Sequence, residues 1–295
     1  MKILAQLKAN IQRFYADYDI YLNPLFKFLL AFVTLFLLKT VLGFDERISS
    51  LPVMAGMSFF CIFFPYGCIT LVDSLFIALN MYSVSVTFAV IFGLYIIMVM
   101  FLFFGLRPGK GIILTLVPIF FILNIPAAIP VLLGLSVGIT AVVPVAIGTA
   151  GWFIIESFLN QSDNITKLRD VTKIISEVVK YAKEIFLNKE MYVIIAAMAV
   201  AIIIIFIIKN LDIKYAWLTA VGAGAVCFAV VVIIGNIVLD VKTDYLYLIL
   251  NFIASVAAGV LYTLLFHNVD YKNTERLQFE DDDYYYYVKA VPKVK

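Results

Sequence analysis

The sequence predicts an all-α protein: a polytopic transmembrane bundle of eight or nine spans, some short or proline-broken, with an amphipathic helix on its surface. Three observations carry that expectation. The 295 residues are 64% hydrophobic and only 14% charged, against about 45–50% and about 25% in an ordinary soluble domain. Mean hydropathy is +1.03, an excess that no soluble core could hide, because much of a folded surface must meet water. The charges also avoid the apolar runs. Leu51–Phe104 carries Asp73 alone, and Gly111–Leu159 carries Glu156 alone. A soluble enzyme, a secreted disulfide scaffold and a disordered chain are excluded on these grounds.

Residues 1–23 read as an interfacial amphipathic helix. Leu4, Leu7, Ile11, Phe14 and Tyr18 recur at helical spacing, with Lys2, Lys8 and Arg13 off that stripe. Residues 24–160 form an N-terminal transmembrane half with broken helices. Its first run, Pro24–Gly43, is long enough to span about 30 Å of hydrocarbon. The 51–104 block divides at Pro65 and near 81–83, so 51–64 and 66–81 are either two thin spans or one re-entrant hairpin. The 111–159 block divides at the turn around Pro126 and Pro130.

Residues 161–189 are a polar amphipathic helix. Leu168, Val171, Ile175, Val178, Ala182 and Ile185 make its apolar seam, and Asp163 or Asn164 is the candidate cap. The seam either lies on lipid headgroups or on its own bundle, or joins a second copy or a partner through 164–187. A C-terminal three-span group follows at 190–267. In its first span, Met191–Ile208, eleven Val, Ile or Phe residues contribute roughly −0.3 to −0.6 kcal/mol each to insertion. With nine crossings and the N-terminus inside, basic residues near the spans divide twelve inside to five outside. That division follows the positive-inside rule, and it groups the N-terminus with the 161–189 loop.

Residues 268–295 are an acidic, tyrosine-rich tail. Glu280, Asp281, Asp282 and Asp283 precede Tyr284, Tyr285, Tyr286 and Tyr287. Four adjacent acids repel one another, whereas a tyrosine run followed by valine has strand propensity. The tail is therefore either a solvated segment or a docking motif that adds as a strand to a partner sheet. The stretch from Arg276 to Lys293 resembles the C-terminal signature of an uncharacterised family of Gram-positive bacterial multi-pass membrane proteins. Asn188–Tyr192 and Ile213–Trp217 resemble it too. Members are often labelled permease-like, so the resemblance implies a permease-like protein of the plasma membrane. It transfers no catalytic residue.

Motifs for chemistry are absent. There is no phosphate-binding loop, dinucleotide fingerprint, zinc-protease helix or serine-hydrolase elbow. No enzymatic activity, cofactor or metal is expected, and an ATP-driven mechanism would need a separate ATPase. The 22 basic against 20 acidic residues give no case for nucleic acid. Cys61, Cys68 and Cys227 sit in apolar runs and read as small hydrophobes.

Asp73 is the leading polar residue. A carboxylate at a helix centre costs about 2.5–3.5 kcal/mol on insertion scales. Thr70 lies three residues before it, and Tyr66 and Asn80 lie seven residues to either side on the same helix face. Such a stripe lines a pathway or seals against another helix. Six of the nine prolines fall between residues 51 and 150, and away from a first turn each frees a carbonyl. Pro65, Pro126, Pro130 and Pro144 thus join Asp73, Tyr66, Thr70 and Asn80 as candidate pathway residues. Two functions follow: a permease-like subunit that moves or helps move a small solute, or a scaffold that recruits partners through 164–187 and the tail.

Overall fold

The structure is a computed structural model that describes residues 14, 17–101, 111–162, 171–211, 213, 215–241, 244–266, 275–280 and 285–290. Most of the expected 1–23 helix, the 163–170 segment with its candidate caps Asp163 and Asn164, and Asp281–Tyr284 lie outside those residues. The helices are α1 (Asp19–Leu42), α2 (Leu51–Phe60, continued by a tighter turn over Cys61–Phe63), α3 (Gly67–Val84) and α4 (Val86–Val99). Then come α5 (Ile112–Ile122), α6 (Ala128–Ser136), α7 (Val142–Gln161) and α8 (Val171–Phe186). The last are α9 (Lys189–Lys209), α10 (Ala216–Leu239) and α11 (Tyr245–Phe266), ahead of strands β1 (Glu275–Glu280) and β2 (Tyr285–Ala290).

Six helices are long and apolar enough to cross a membrane: α1, α3, α7 with its preceding turn, α9, α10 and α11. Leu51–Phe63, Val86–Val99 and Ile112–Ile122 are apolar but shorter. The first long helix starts at Asp19 and runs through Pro24, so it begins five residues before the expected boundary.

The prolines mostly start helices. Pro52, Pro130 and Pro144 sit in the first turns of α2, α6 and α7, where the missing N–H would have had no helical partner. Pro126 lies in the turn between α5 and α6, and Pro65 in the link between α2 and α3. Pro118, seven residues into α5, and Pro24 in α1 lie inside helices.

Hydrogen bonds fix the direction of each leg. Tyr66 donates to Asn23 at 2.7 Å, so α1 starts where α3 starts. Thr70 donates to the Gly111 carbonyl at 2.8 Å, which brings the start of α5 to that end too. Asn251 of α11 donates to the Asn124 carbonyl at 3.2 Å, placing the α5–α6 turn toward the opposite end. Lys209 donates to the Gly134 and Leu135 carbonyls at 2.9 and 3.0 Å. It thereby caps the end of α6 and returns that helix to the first end. The 111–159 block therefore makes three legs where two were expected. Its second turn is at Gly138, whose φ of +78° is open to glycine.

The start of α1 lies at one end of the bundle, and α8, which packs on α4, lies toward the other. Thr87 at the start of α4 donates to Glu177 at 3.3 Å, and the Phe88 and Tyr181 rings sit 5.0 Å apart.

Two glycines show how closely the C-terminal helices approach. A Cβ at Gly134 or Gly224 would collide with Ile205 of α9. Small residues here let backbones meet, which is how helices associate where lipid is as apolar as they are. The α8 seam rests partly on its own bundle: Ile185 is buried, and Val178 packs on the core that includes Phe88 and Phe158. Ile175 stays exposed.

Candidate functional site

Asp73 is 3% exposed in the middle of the α1, α3 and α5 contact. The Thr34 hydroxyl of α1 lies 3.1 Å from Asp73 Oδ1. It also lies 2.9 Å from the Ala31 carbonyl, so its single proton is shared. Asp73 Oδ2 is buried with no hydrogen-bond partner. Beside it, Thr115 of α5 donates to the Thr70 hydroxyl at 2.9 Å, and Thr70 passes its own proton to the Gly111 carbonyl. These groups border a cavity of about 30 Å³ that Leu38, Phe92, Tyr95, Leu114 and Pro118 also line. A space of this size holds about one water-sized body.

The other candidates on that stripe go elsewhere. Residues seven apart share a helix face but differ in depth by about 10 Å. Tyr66 meets Asn23 at one end, with Lys27 over its ring at 5.4 Å. Asn80 serves as a brace: its Oδ1 accepts from Asp45 N–H at 3.3 Å and Ser49 at 3.2 Å, and its Nδ2 donates to the Phe76 carbonyl. Thr70 alone joins Asp73 at the cavity. Pro65, Pro130 and Pro144 border neither that cavity nor the chamber described next.

A second, larger cavity was not anticipated. About 330 Å³ opens among α5, α7, α9, α10 and α11, bounded by Glu156, Glu190 and Asp244, by Asn124, Asn236 and Asn251, and by Pro126 and Tyr247. Its aromatic wall is Phe121, Trp152, Phe153 and Phe228. The Phe121 and Trp152 rings stack at 5.3 Å and 13°. Among the described residues no Lys, Arg or His borders it.

Each acid comes from a different helix end, so no local motif announced them. Asp244 is the helix cap of α11, its Oδ1 accepting from Leu246 and Tyr247 N–H. Asn251 fixes the floor. Its Oδ1 accepts from Ala127 N–H at 3.3 Å, and its Nδ2 donates to the Asn124 and Tyr247 carbonyls. Asn124 itself has a φ of +59° at the α5–α6 turn. The signal available beforehand was one Asn in a run as apolar as Tyr245–Phe266, the kind of residue that must find a partner in lipid.

The tail residues form a hairpin. Glu275–Glu280 pairs antiparallel with Tyr285–Ala290, Phe279 opposite Tyr286 and Glu280 opposite Tyr285. The strand propensity of the tyrosine run is realised, but against the chain's own residues. Among the described residues, no three His, Cys, Asp or Glu side chains are placed to hold a metal ion.

No family model, curated protein or solved structure matches this chain. The fold therefore speaks for itself: an all-α bundle whose six long apolar helices are compatible with a multi-pass integral membrane protein.

Proposed function

We propose that this chain is a permease-like protein of the plasma membrane that moves, or helps to move, a small positively charged solute. The observation that carries this reading is the 330 Å³ chamber with three carboxylates and, among the described residues, no basic side chain on its wall. Polar groups inside a bundle this apolar are costly unless they serve a pathway. A cavity of about 300 Å³ suits a small organic molecule, and stacked aromatic faces attract cations. The permease label attached to proteins with a similar tail points the same way.

In this reading the chain crosses the membrane eight times, through α1–α4, α7 and α9–α11. Helices α5 and α6 enter and leave from one side as a re-entrant pair. Their turn, Asn124–Ala127, forms the chamber floor. Non-helical backbone at that depth is tolerated because it lines a cavity and is bonded by Asn251.

Reconstituted vesicles test the proposal with three labelled solutes of similar size: cationic, neutral and anionic. Uptake above protein-free vesicles is expected for the cation alone and is reduced about tenfold in Glu156→Gln. Absence of uptake for all three would overturn it.

A second reading, a membrane scaffold, has one observation in its favour. Tyr285, Tyr286 and Val288 of β2 are exposed, and a two-stranded hairpin offers edges on which a partner strand can add. Deleting 268–295 should then remove a co-purifying protein while the helices stay inserted. Recovery of the same partners would end that reading.

A further inference from the structure

We propose that the cavity beside Asp73 is a binding site for a monovalent inorganic cation, sodium being the ion that fits. The inference adds a coupling ion to the transport reading but does not depend on it, because binding is measured without flux.

A carboxylate 3% exposed needs compensation, and the protein supplies little. Oδ2 has no partner, and Oδ1 has only a shared hydroxyl. Among the described residues no basic side chain borders the cavity, and the Tyr95 hydroxyl there is committed to the Ile147 carbonyl at 3.1 Å. The neighbouring hydroxyls are linked to one another, Thr115 to Thr70 at 2.9 Å and Thr70 to the Gly111 carbonyl at 2.8 Å, and Thr115 also lies against the Asp73 carboxyl. Their oxygens border the space beside the carboxylate. Pro118 has no N–H for the Leu114 carbonyl, and both residues border the cavity. The available groups are thus oxygens, the ligands that hard cations take.

Charge and size select the ion. One carboxylate balances one positive charge, whereas a divalent ion would leave an uncompensated charge in an apolar interior. About 30 Å³ admits a single dehydrated ion.

The experiment measures thermal unfolding of the full chain in detergent while sodium chloride replaces potassium or choline chloride at fixed ionic strength. Saturable stabilisation by sodium over both replacements is expected, as mass action requires for an ion that binds only the folded state. It is lost in Asp73→Asn, and its midpoint moves about tenfold higher in Thr115→Val, which keeps the carboxylate and the shape. Should Asp73→Asn fail to fold, Thr115→Val decides alone. Equal curves in all three salts overturn the proposal, as does stabilisation that follows pH and ignores sodium. Sodium binding without solute uptake would sink the transport reading and leave this one standing; uptake without sodium binding would do the reverse.

Discussion

The two polar cavities differ in almost every physical respect. The Asp73 cavity holds about one water-sized body and draws its oxygens from α1, α3 and α5. The chamber is roughly ten times larger, lies at the ends of five helices and is bounded by acids on α7, α9 and α11. One is built by packing, since Leu38, Phe92 and Ile155 around Asp73 are each at most 2% exposed. The other is held by hydrogen bonds at its floor. The contrast teaches that a bundle this apolar handles polarity in two ways: it buries a single charge among hydroxyls, or gathers several where helices end.

Truncations should expose that contrast. Phe92→Ala, on the wall of the Asp73 cavity, is expected to cost about 3 kcal/mol by thermal unfolding in detergent, because tightly packed neighbours cannot collapse into the space. Phe228→Ala, on the chamber wall, opens onto existing space and should cost less than half of that. Equal losses would mean that the two regions are packed alike. Asn251→Ala comes next, at about 1–3 kcal/mol. It strips Ala127 N–H and the Asn124 carbonyl of their partners at the turn. Stability unchanged in that variant would contradict the assigned role of the floor.

Smaller effects sharpen the chemical side. Glu156→Gln should weaken binding of tetraethylammonium about tenfold by calorimetry, with little change in unfolding temperature. Affinity equal to that of the unaltered chain would remove the chamber as a cation site. The smallest perturbation tests sidedness. In a chain with Cys61, Cys68 and Cys227 replaced by serine, single cysteines at Leu187 and Leu211 should react with an impermeant maleimide from opposite faces of the membrane. Both positions are exposed. Labelling from the same face would contradict the alternating course of the helices.

The sequence exposed what depends on composition along one segment. The long helices follow from apolar runs, and Asp73 stood out as the single charge in 54 residues. Thr70 was found because it lies one helical turn before Asp73. Thr34 and Thr115 were not, since their hydroxyls reach Asp73 and Thr70 from other helices. Tyr66 and Asn80 were grouped with Asp73 because spacing reports the face of a helix and is blind to the partners met at each depth.

Glu156 is the single charge of its apolar run, and nothing within its own helix marks it as part of a chamber. Its companions Glu190 and Asp244 begin two other helices. The third leg of the 111–159 block was hidden by its shortness, because α6 has nine residues. Gly138 makes the second turn, whereas Gly134, four residues earlier, packs on Ile205. In the tail, tyrosines and valine carried the strand signal. The partner Glu275–Glu280 alternates polar and apolar residues from Arg276 to Glu280, but over a stretch too short to stand out without the pairing.

The central claim is that the interior is arranged for cations, an inorganic ion at Asp73 and an organic one in the chamber. Uptake of labelled tetraethylammonium into vesicles containing the purified chain, with and without an inward sodium gradient, tests it most directly. The account predicts sodium-dependent uptake that disappears in Asp73→Asn and in Glu156→Gln, with tetraethylammonium binding kept in the first variant and weakened in the second. Uptake no faster than in protein-free vesicles, or uptake indifferent to both substitutions, would contradict it.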